Sequence, residues 1–362
     1  MSRLRVGVAG LGIGQAHLLA YLSLPEEYEV VALADVDEAR RTRGAADWGV
    51  PTAVPSVEDL LELDLDVVDL CTPPWLHTEQ VLAVLAAGRH VVCEKPLATS
   101  LADVDRIAAA ADAAAGQVMP VFQYRFAAGA RRLRTLVEAG VTGPLRLATS
   151  ETAWTRGPDY FEVPWRGRWA TEGGGAVLSH ATHLHDLVTW LGGAARSVTG
   201  RTATLVNDVE TEDTAAAVVE LDGGGTRPAL ASLSVTLGSA TEISRLRFCF
   251  ERVTAESSTE PYDPGAEPWA FSFCDEEADA AARAAWDAAP PATGDGYEGQ
   301  LRAFHRSITE GAPLPVTVGD ARAALELVTA WYASSRSGRA VALPLGPDAD
   351  GYASLAPDDA AR

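Results

Sequence analysis

Three glycines at alternate positions, Gly10-Leu-Gly12-Ile13-Gly14, stand between an apolar run, Leu4–Ala9, and a helical pattern, Gln15–Leu22. A turn this tight needs backbone without a Cβ, and the helix behind it aims unpaired N–H groups and partial positive charge back at the turn. A pyrophosphate can approach such a backbone closely, although a plain strand–turn–helix also uses glycine there, and the spacing is one residue shorter than GxGxxG. Asp35 closes the next apolar run, Val30–Asp35. A carboxylate at that place accepts ribose hydroxyls and repels a 2′-phosphate, which predicts NAD rather than NADP. Capping the next helix is the other use for it, one that Asp37 can fill instead. Strand, glycine turn, helix, strand and acid occur in the order a dinucleotide site requires.

The same alternation continues. Val67–Cys71, His90–Cys93 and Val118–Phe122 read as buried strands, separated by helical patterns at Glu38–Trp48, Thr78–Ala87 and Leu101–Ala115. Such alternation predicts right-handed βαβ units and a parallel sheet covered on both faces. From about residue 123 the pattern changes. A helix near Gly129–Ala139 leads through Gly143-Pro144 into long strand-like runs: Leu145–Trp154, Ser197–Leu205, Ala215–Leu221, Ala229–Leu237 and Arg245–Val253. Strands without helices between them predict an antiparallel sheet. Glu256–Pro268 reads as a loop, the Ala-rich stretch near 278–289 as helix former, and Tyr297–Glu310 and Gly319–Ser334 as two closing helices. The fold class is therefore α/β. A doubly wound Rossmann domain at 1–122 precedes an α/β domain at 123–345 with an open, mostly antiparallel sheet, and an Asp/Ala/Pro-rich stretch at 346–362 is expected to be a flexible tail.

With 29 Lys+Arg against 50 Asp+Glu, the 362-residue chain carries a formal charge of −21. That balance argues against nucleic acid and against anionic membranes as partners, and does not by itself imply a basic substrate. No stretch approaches the ~20 apolar residues of a membrane span. The opening residues imitate a secretory leader, but Gly7, Gly10, Gly12 and Gly14 interrupt the apolar run and no cleavage site follows. Cys71, Cys93, Cys249 and Cys274 form no CxxC pair, which predicts a reducing cytoplasm and no disulfide framework.

The remaining motifs are Cys71-Thr72-Pro73-Pro-Trp-Leu-His77, His90-Val-Val-Cys-Glu94-Lys95-Pro96-Leu97, Gln123-Tyr124-Arg125-Phe, Trp165-Arg166, Gly173-Gly-Gly175-Ala and Ser179-His180-Ala-Thr-His183-Leu-His185-Asp186. Taken together they resemble the glucose–fructose oxidoreductase/inositol dehydrogenase (Gfo/Idh/MocA) family, from the first strand to about Leu345. The resemblance implies an NAD(P)-dependent oxidoreductase acting on a secondary alcohol or ketone of a sugar, cyclitol or related polyol. It also implies a second domain that serves as substrate platform and oligomer interface, in a homodimer or homotetramer. In similar proteins the lysine matching Lys95 touches the nicotinamide ribose and the reacting hydroxyl, and the histidine matching His183 shares the proton transfer. By the same resemblance Gly10, Gly12, Ile13, Gly14, Asp35, Thr72, Pro73, His77, Glu94, Lys95, Trp165 and Arg166 face the cofactor, while Tyr124, Arg125, Ser179, His180 and Asp186 face the substrate.

Chemistry supports the two catalytic assignments. Removing hydride from an alcohol leaves a protonated carbonyl unless a base takes the O–H proton. A lysine beside a cationic ring and partly desolvated has its pKa lowered towards neutrality; the alternative for Lys95 is a surface residue paired with Glu94. Arg125 has two possible partners, a substrate acid or a protein carboxylate. Trp165 could equally pack in a core, His77 lie at the surface, and His17 pack or cap. One position departs from the family pattern: Ser179 stands four residues before His183, where an aspartate is usual. On a continuous helix the two would share a face, and a hydroxyl orients an imidazole without stabilising its cation; His180, His185 and Asp186 are the candidates to compensate. The His180, His183, His185, Asp186 group also suggests a metal, but their helical directions diverge, so none is expected. Two other functions compete: glycoside cleavage by transient oxidation with NAD recycled in place, and a catalytically silent NAD- or sugar-binding partner.

Overall fold

The computed structural model describes residues 3–357. The chain divides into two compact units, Met1–Gln123 with Ala292–Arg322, and Tyr124–Pro291 with Ala323–Arg362. The return of 292–322 to the first unit is absent from the sequence expectation, which gave residues 123–345 to the second domain.

In the first unit six strands form one sheet: β1 (Leu4–Ala9), β2 (Tyr28–Ala34), β3 (Thr52–Val54), β4 (Val67–Leu70), β5 (His90–Cys93) and β6 (Val118–Pro120). Their order is β3-β2-β1-β4-β5-β6 and every pair is parallel. Strand order reverses between β1 and β4, and the crevice beyond the carboxyl ends at that point is where open α/β sheets take ligands. Val6, Val8, Leu33, Val67, Val68, Val91 and Val92 are fully buried, the burial expected of strands covered on both faces. The helix Gly296–Thr309 belongs to this unit. Gln300 donates to the Pro120 carbonyl at 2.8 Å, accepts from Phe122 N at 3.2 Å, and Tyr28 Oη donates to the Leu301 carbonyl at 2.7 Å.

In the second unit β7 (Leu145–Thr155), β8 (Ala195–Ala203), β9 (Thr214–Leu221), β10 (Ala229–Thr236), β11 (Gly238–Phe250), β12 (Val253–Glu256), β13 (Ala270–Phe273) and β14 (Val341–Ala342) form a second sheet. Its order is β13-β12-β11-β7-β10-β9-β8-β14. Only β7 and β10 pair in parallel. Burial alternates along β9 and β10, so one face is covered while Leu147, Val218 and Leu230 stand exposed on the other. Strand pairing continues to Glu256 and resumes in β13, so the stretch read as a loop is flanked by strands that sequence reading did not separate.

The expected tail is also different. Leu355 is buried, Arg336 donates to its carbonyl at 3.1 Å and pairs with Asp350 at 3.0 Å; residues 358–362 of that expectation lie outside the described residues. No helix among the described residues is long and apolar enough to cross a membrane.

Candidate functional site

At the carboxyl end of β1 the three glycines have three separate reasons to be glycine. Gly10 has φ +89°, and a Cβ there would collide with the Cys71 carbonyl. A Cβ on Gly14 would meet Cys71 Cβ and Val8 at 3.3 Å, so this glycine brings the helix Gly14–Leu22 close to β1 and β4. A Cβ on Gly12 would meet nothing within 4 Å. That open backbone is the cradle a pyrophosphate needs, and Ile13 stands half-exposed beside it. Asp35 is buried at the end of β2; one oxygen accepts from Leu11 N and the other from Asp37 N, both at 2.9 Å. Asp37, not Asp35, caps the helix Glu38–Trp48 by accepting from Arg40 N at 2.9 Å. Asp35 thereby keeps its place beside the glycine turn, with the Arg40 guanidinium 3.2 Å away. Open backbone at Gly12 and a carboxylate fixed against Leu11 fit the phosphates and the adenosine ribose of a dinucleotide.

The next two strand ends are tied together. Thr72 Oγ1 donates to Gln80 Oε1 at 2.5 Å, and Pro73 stands at the N-cap position of the helix Pro74–Ala86. His77 is buried rather than at the surface: its ring lies between the carbonyls of Thr72 (2.7 Å) and Pro96 (2.8 Å), and burial lowers its pKa. Lys95, half-buried, follows Glu94 at the end of β5. Glu94 is 5% exposed and turned inward, so the picture of an exposed Lys95–Glu94 pair does not hold. One Glu94 oxygen accepts from Lys95 N at 3.0 Å, and the other faces His17 Nε2 at 3.0 Å and accepts from Tyr297 Oη at 3.1 Å. His17 Nδ1 faces Asp69 at 2.8 Å.

Sequence reading assigned His17 to packing and passed over Asp69 and Tyr297; two buried acids on strands whose ends face a ligand crevice were the available signal. A second signal was missed as well. Of the 29 lysines and arginines, Lys95 is the only lysine. Arginine stays protonated throughout the working pH range, whereas a lysine can give up its proton where its surroundings lower its pKa.

In the second unit Arg125, in the 3₁₀ turn Gln123–Phe126, has a protein carboxylate as partner. Its Nε and Nη2 donate to the two oxygens of Asp186 at 2.8 and 2.5 Å, with both side chains buried. The His183 ring lies 4.6 Å from that of Tyr124, whose hydroxyl donates to the Tyr262 carbonyl. Ser179 and His183 do not share a continuous helix. Ala176–Ser179 and Thr182–Gly192 are separate helices, because a new helix starts after Ala181. Ser179 Oγ donates to Glu172 Oε1 at 2.7 Å, and Glu172, 2% exposed, also accepts from Gly167 N at 2.6 Å. A buried carboxylate therefore stands behind the hydroxyl at the position that departs from the family pattern. It comes from earlier in the chain and from none of the residues expected to compensate.

The rest of the expected cluster spreads apart. His180 packs between Trp154 (5.6 Å) and Tyr160 (5.5 Å), while His185 rests on Trp331 (5.4 Å). The Arg166 guanidinium lies 3.8 Å over Tyr160 and 5.2 Å from Trp165. The glycine-rich turn is held by Glu212, which accepts from Gly175 N at 3.1 Å, Val177 N at 2.9 Å and Tyr332 Oη at 2.8 Å; burial pushes its carboxyl up to about 7.

Comparison with known proteins agrees with this geometry. Residues 4–122 match an oxidoreductase family model with an NAD-binding Rossmann fold, and residues 130–256 match the GFO/IDH/MocA C-terminal domain. Inositol 2-dehydrogenase 3 of Saccharopolyspora erythraea is 39% identical over 142 residues, 38% of this chain and 42% of the relative. Myo-inositol 2-dehydrogenase of Thermotoga maritima is 32% identical over 195 residues, 52% of this chain and 55% of the relative. The chain thus spans about half the length of the curated relatives it matches. Among solved structures, the WlbA dehydrogenase from Bordetella pertussis, in complex with NADH and UDP-GlcNAcA, is 28% identical with a TM-score of 0.82 over 95% of this chain and 99% of that one. A levoglucosan dehydrogenase in complex with NADH and levoglucosan shares the fold at TM-score 0.83 and 21% identity, over 95% of this chain and 100% of that one.

Proposed function

Because the chain belongs to the Gfo/Idh/MocA oxidoreductase family, we propose that it transfers hydride between a nicotinamide dinucleotide and a secondary alcohol or ketone of a sugar, cyclitol or related polyol. The observation that carries this reading is the only lysine of the chain, Lys95, at a strand end of the parallel sheet, with its backbone N–H on a buried carboxylate. Lys95 takes the proton of the reacting hydroxyl on oxidation and returns it on reduction, and His183 assists. The bound nicotinamide supplies the hydride acceptor or donor. Gly10, Gly12, Ile13 and Gly14 hold the pyrophosphate, and Thr72, Pro73, His77 and Glu94 shape the nicotinamide side. Trp165 and Arg166 contribute to the cofactor site. Tyr124, Arg125, Ser179, His180 and Asp186 contribute to the substrate side, where the Arg125–Asp186 pair fixes the position of both groups. Asp35 favours NAD over NADP by accepting the ribose hydroxyls, since a 2′-phosphate would meet its charge.

Two of the named relatives are inositol 2-dehydrogenases and one solved dehydrogenase holds NADH and UDP-GlcNAcA, which supports the substrate class. The exposed face carrying Leu147, Val218 and Leu230 supports a homodimer or homotetramer built on the second sheet. The test is absorbance at 340 nm with NAD or NADP and a panel of inositols, hexoses, 1,6-anhydrosugars and nucleotide sugars. NADH formed with one ring-polyol class is the expected result. No reduction with any of them, from protein that binds NADH, would overturn the dehydrogenase assignment.

A further inference from the structure

Beneath the Lys95 loop lies a polar cluster that hydride transfer does not itself require. His17 comes from the first helix, Asp69 from β4, Glu94 from the end of β5 and Tyr297 from the helix Gly296–Thr309, and the side chains of His17 and Asp69 are fully buried. Both ring nitrogens of His17 face carboxylate oxygens, Nδ1 to Asp69 at 2.8 Å and Nε2 to Glu94 at 3.0 Å. A neutral imidazole has one N–H and cannot donate to both; an imidazolium can. Tyr297 adds a second donor to the Glu94 oxygen at 3.1 Å and lays its ring 4.5 Å from that of His17, while Gln123 donates to Tyr297 Oη at 3.2 Å. Cys71 Sγ donates to the second oxygen of Asp69 at 3.4 Å. Burying two carboxylates and a cation is costly unless each is paired, and here each has a partner from a different element.

We propose that His17, Asp69, Glu94 and Tyr297 form a positioning network for Lys95, in which His17 fixes Glu94, Glu94 fixes the Lys95 backbone, and the cation offsets one of the two negative charges of the cluster. The proposal rests on the reading of Lys95 as the acid–base group. His17 touches neither substrate nor cofactor in this account and acts only through Glu94. Burial works against charge on its ring, but Asp69 and Cys71 together outweigh it and raise its pKa well above the usual value, which agrees with a retained positive charge. Replacing His17 with a neutral side chain leaves the second carboxylate charge uncompensated, and the nearby ammonium then holds its proton more tightly.

Because Lys95 is the only lysine, protein labelled with ε-¹³C,¹⁵N-lysine gives one side-chain resonance, and its titration reads this residue without a substrate. His17→Gln, so long as it folds and keeps NADH affinity close to wild type, is expected to raise the Lys95 pKa by about one unit. Tyr297→Phe, which removes one donor from Glu94 and no charge, is expected to raise it by less. A Lys95 titration that superimposes on wild type in folded His17→Gln overturns the proposal. If His17→Gln does not fold, an unmoved titration in Tyr297→Phe does the same. Lys95→Met separates this from the reading beneath it. Retained turnover in that variant defeats the acid–base assignment even where the titrations shift, and lost turnover with unmoved titrations defeats the network alone.

Discussion

His17 in the first unit and His185 in the second are both fully buried, yet they have opposite surroundings. His17 has a carboxylate oxygen at each ring nitrogen and a raised pKa; His185 lies against Trp331, neither ring nitrogen has a hydrogen-bond partner among the described residues, and burial lowers its pKa to about 3. Burial alone therefore says little about charge; what the neighbouring elements contribute decides it. The first unit keeps a charged cluster under one loop. In the second, Asp186 is held by Arg125, and other buried carboxyl groups are satisfied by hydrogen bonds, Glu172 by Ser179 and Gly167 and Glu212 by Gly175, Val177 and Tyr332.

The sharpest way to break this contrast is to remove one partner of the buried Arg125–Asp186 ion pair in the second unit. Asp186→Asn strands the buried Arg125 cation and is expected to cost about 3–5 kcal/mol in urea denaturation. The histidines come next. The unfolded chain protonates His185 near pH 6.5 while the folded chain resists until about 3, so stability falls as pH drops through that window. Relative to His185→Gln, the wild type loses up to about 1.4 kcal/mol per pH unit there. His17 has the opposite sign: its raised folded pKa contributes stability that is complete below the unfolded value of 6.5 and lost as pH rises through the folded value. The wild-type advantage over His17→Gln therefore shrinks above pH 6.5, and denaturation midpoints at several pH values check both directions.

Much of the first unit could be read directly from the sequence, because its site sits at successive strand ends and each motif is contiguous. The glycine turn, Asp35, Thr72 to His77 and Glu94-Lys95-Pro96 all fall where βαβ logic places ligand contacts. The second unit was less legible for a physical reason. Arg125 and Asp186, or Glu212 and Tyr332, are brought together by tertiary packing and leave no local pattern. The expected helix face shared by Ser179 and His183 disappeared because two short helices replaced one, and Glu172 reaches Ser179 through a turn at Gly173 (φ +80°) that spacing alone does not reveal. This also changes how the departing serine should be probed. An aspartate at 179 would set carboxylate against the buried Glu172, so Glu172→Gln is the cleaner variant.

Two smaller effects sharpen the reading of the first unit. Gly10→Ala meets a left-handed backbone and the Cys71 carbonyl, and is expected to cost about 1–3 kcal/mol of stability. Gly12→Ala has open space and should leave the melting temperature unchanged while weakening NADH binding at least about tenfold, since its methyl enters the phosphate cradle. Fluorescence titration with NADH compares the two. Asp35→Ala should narrow the NAD over NADP ratio in kcat/KM, with Arg40 left beside the ribose site; an unchanged ratio would remove Asp35 from cofactor discrimination.

The central claim is that Lys95 moves the proton that accompanies hydride transfer. Lys95→Arg keeps the positive charge and much of the length but cannot release a proton in the working pH range. The measurement is kcat for this variant against wild type from pH 6 to 10, together with NADH affinity. A loss of at least about a thousandfold at every pH, with NADH affinity within a few-fold of wild type, is the predicted result. Turnover within tenfold of wild type and an unaltered pH profile would contradict the account.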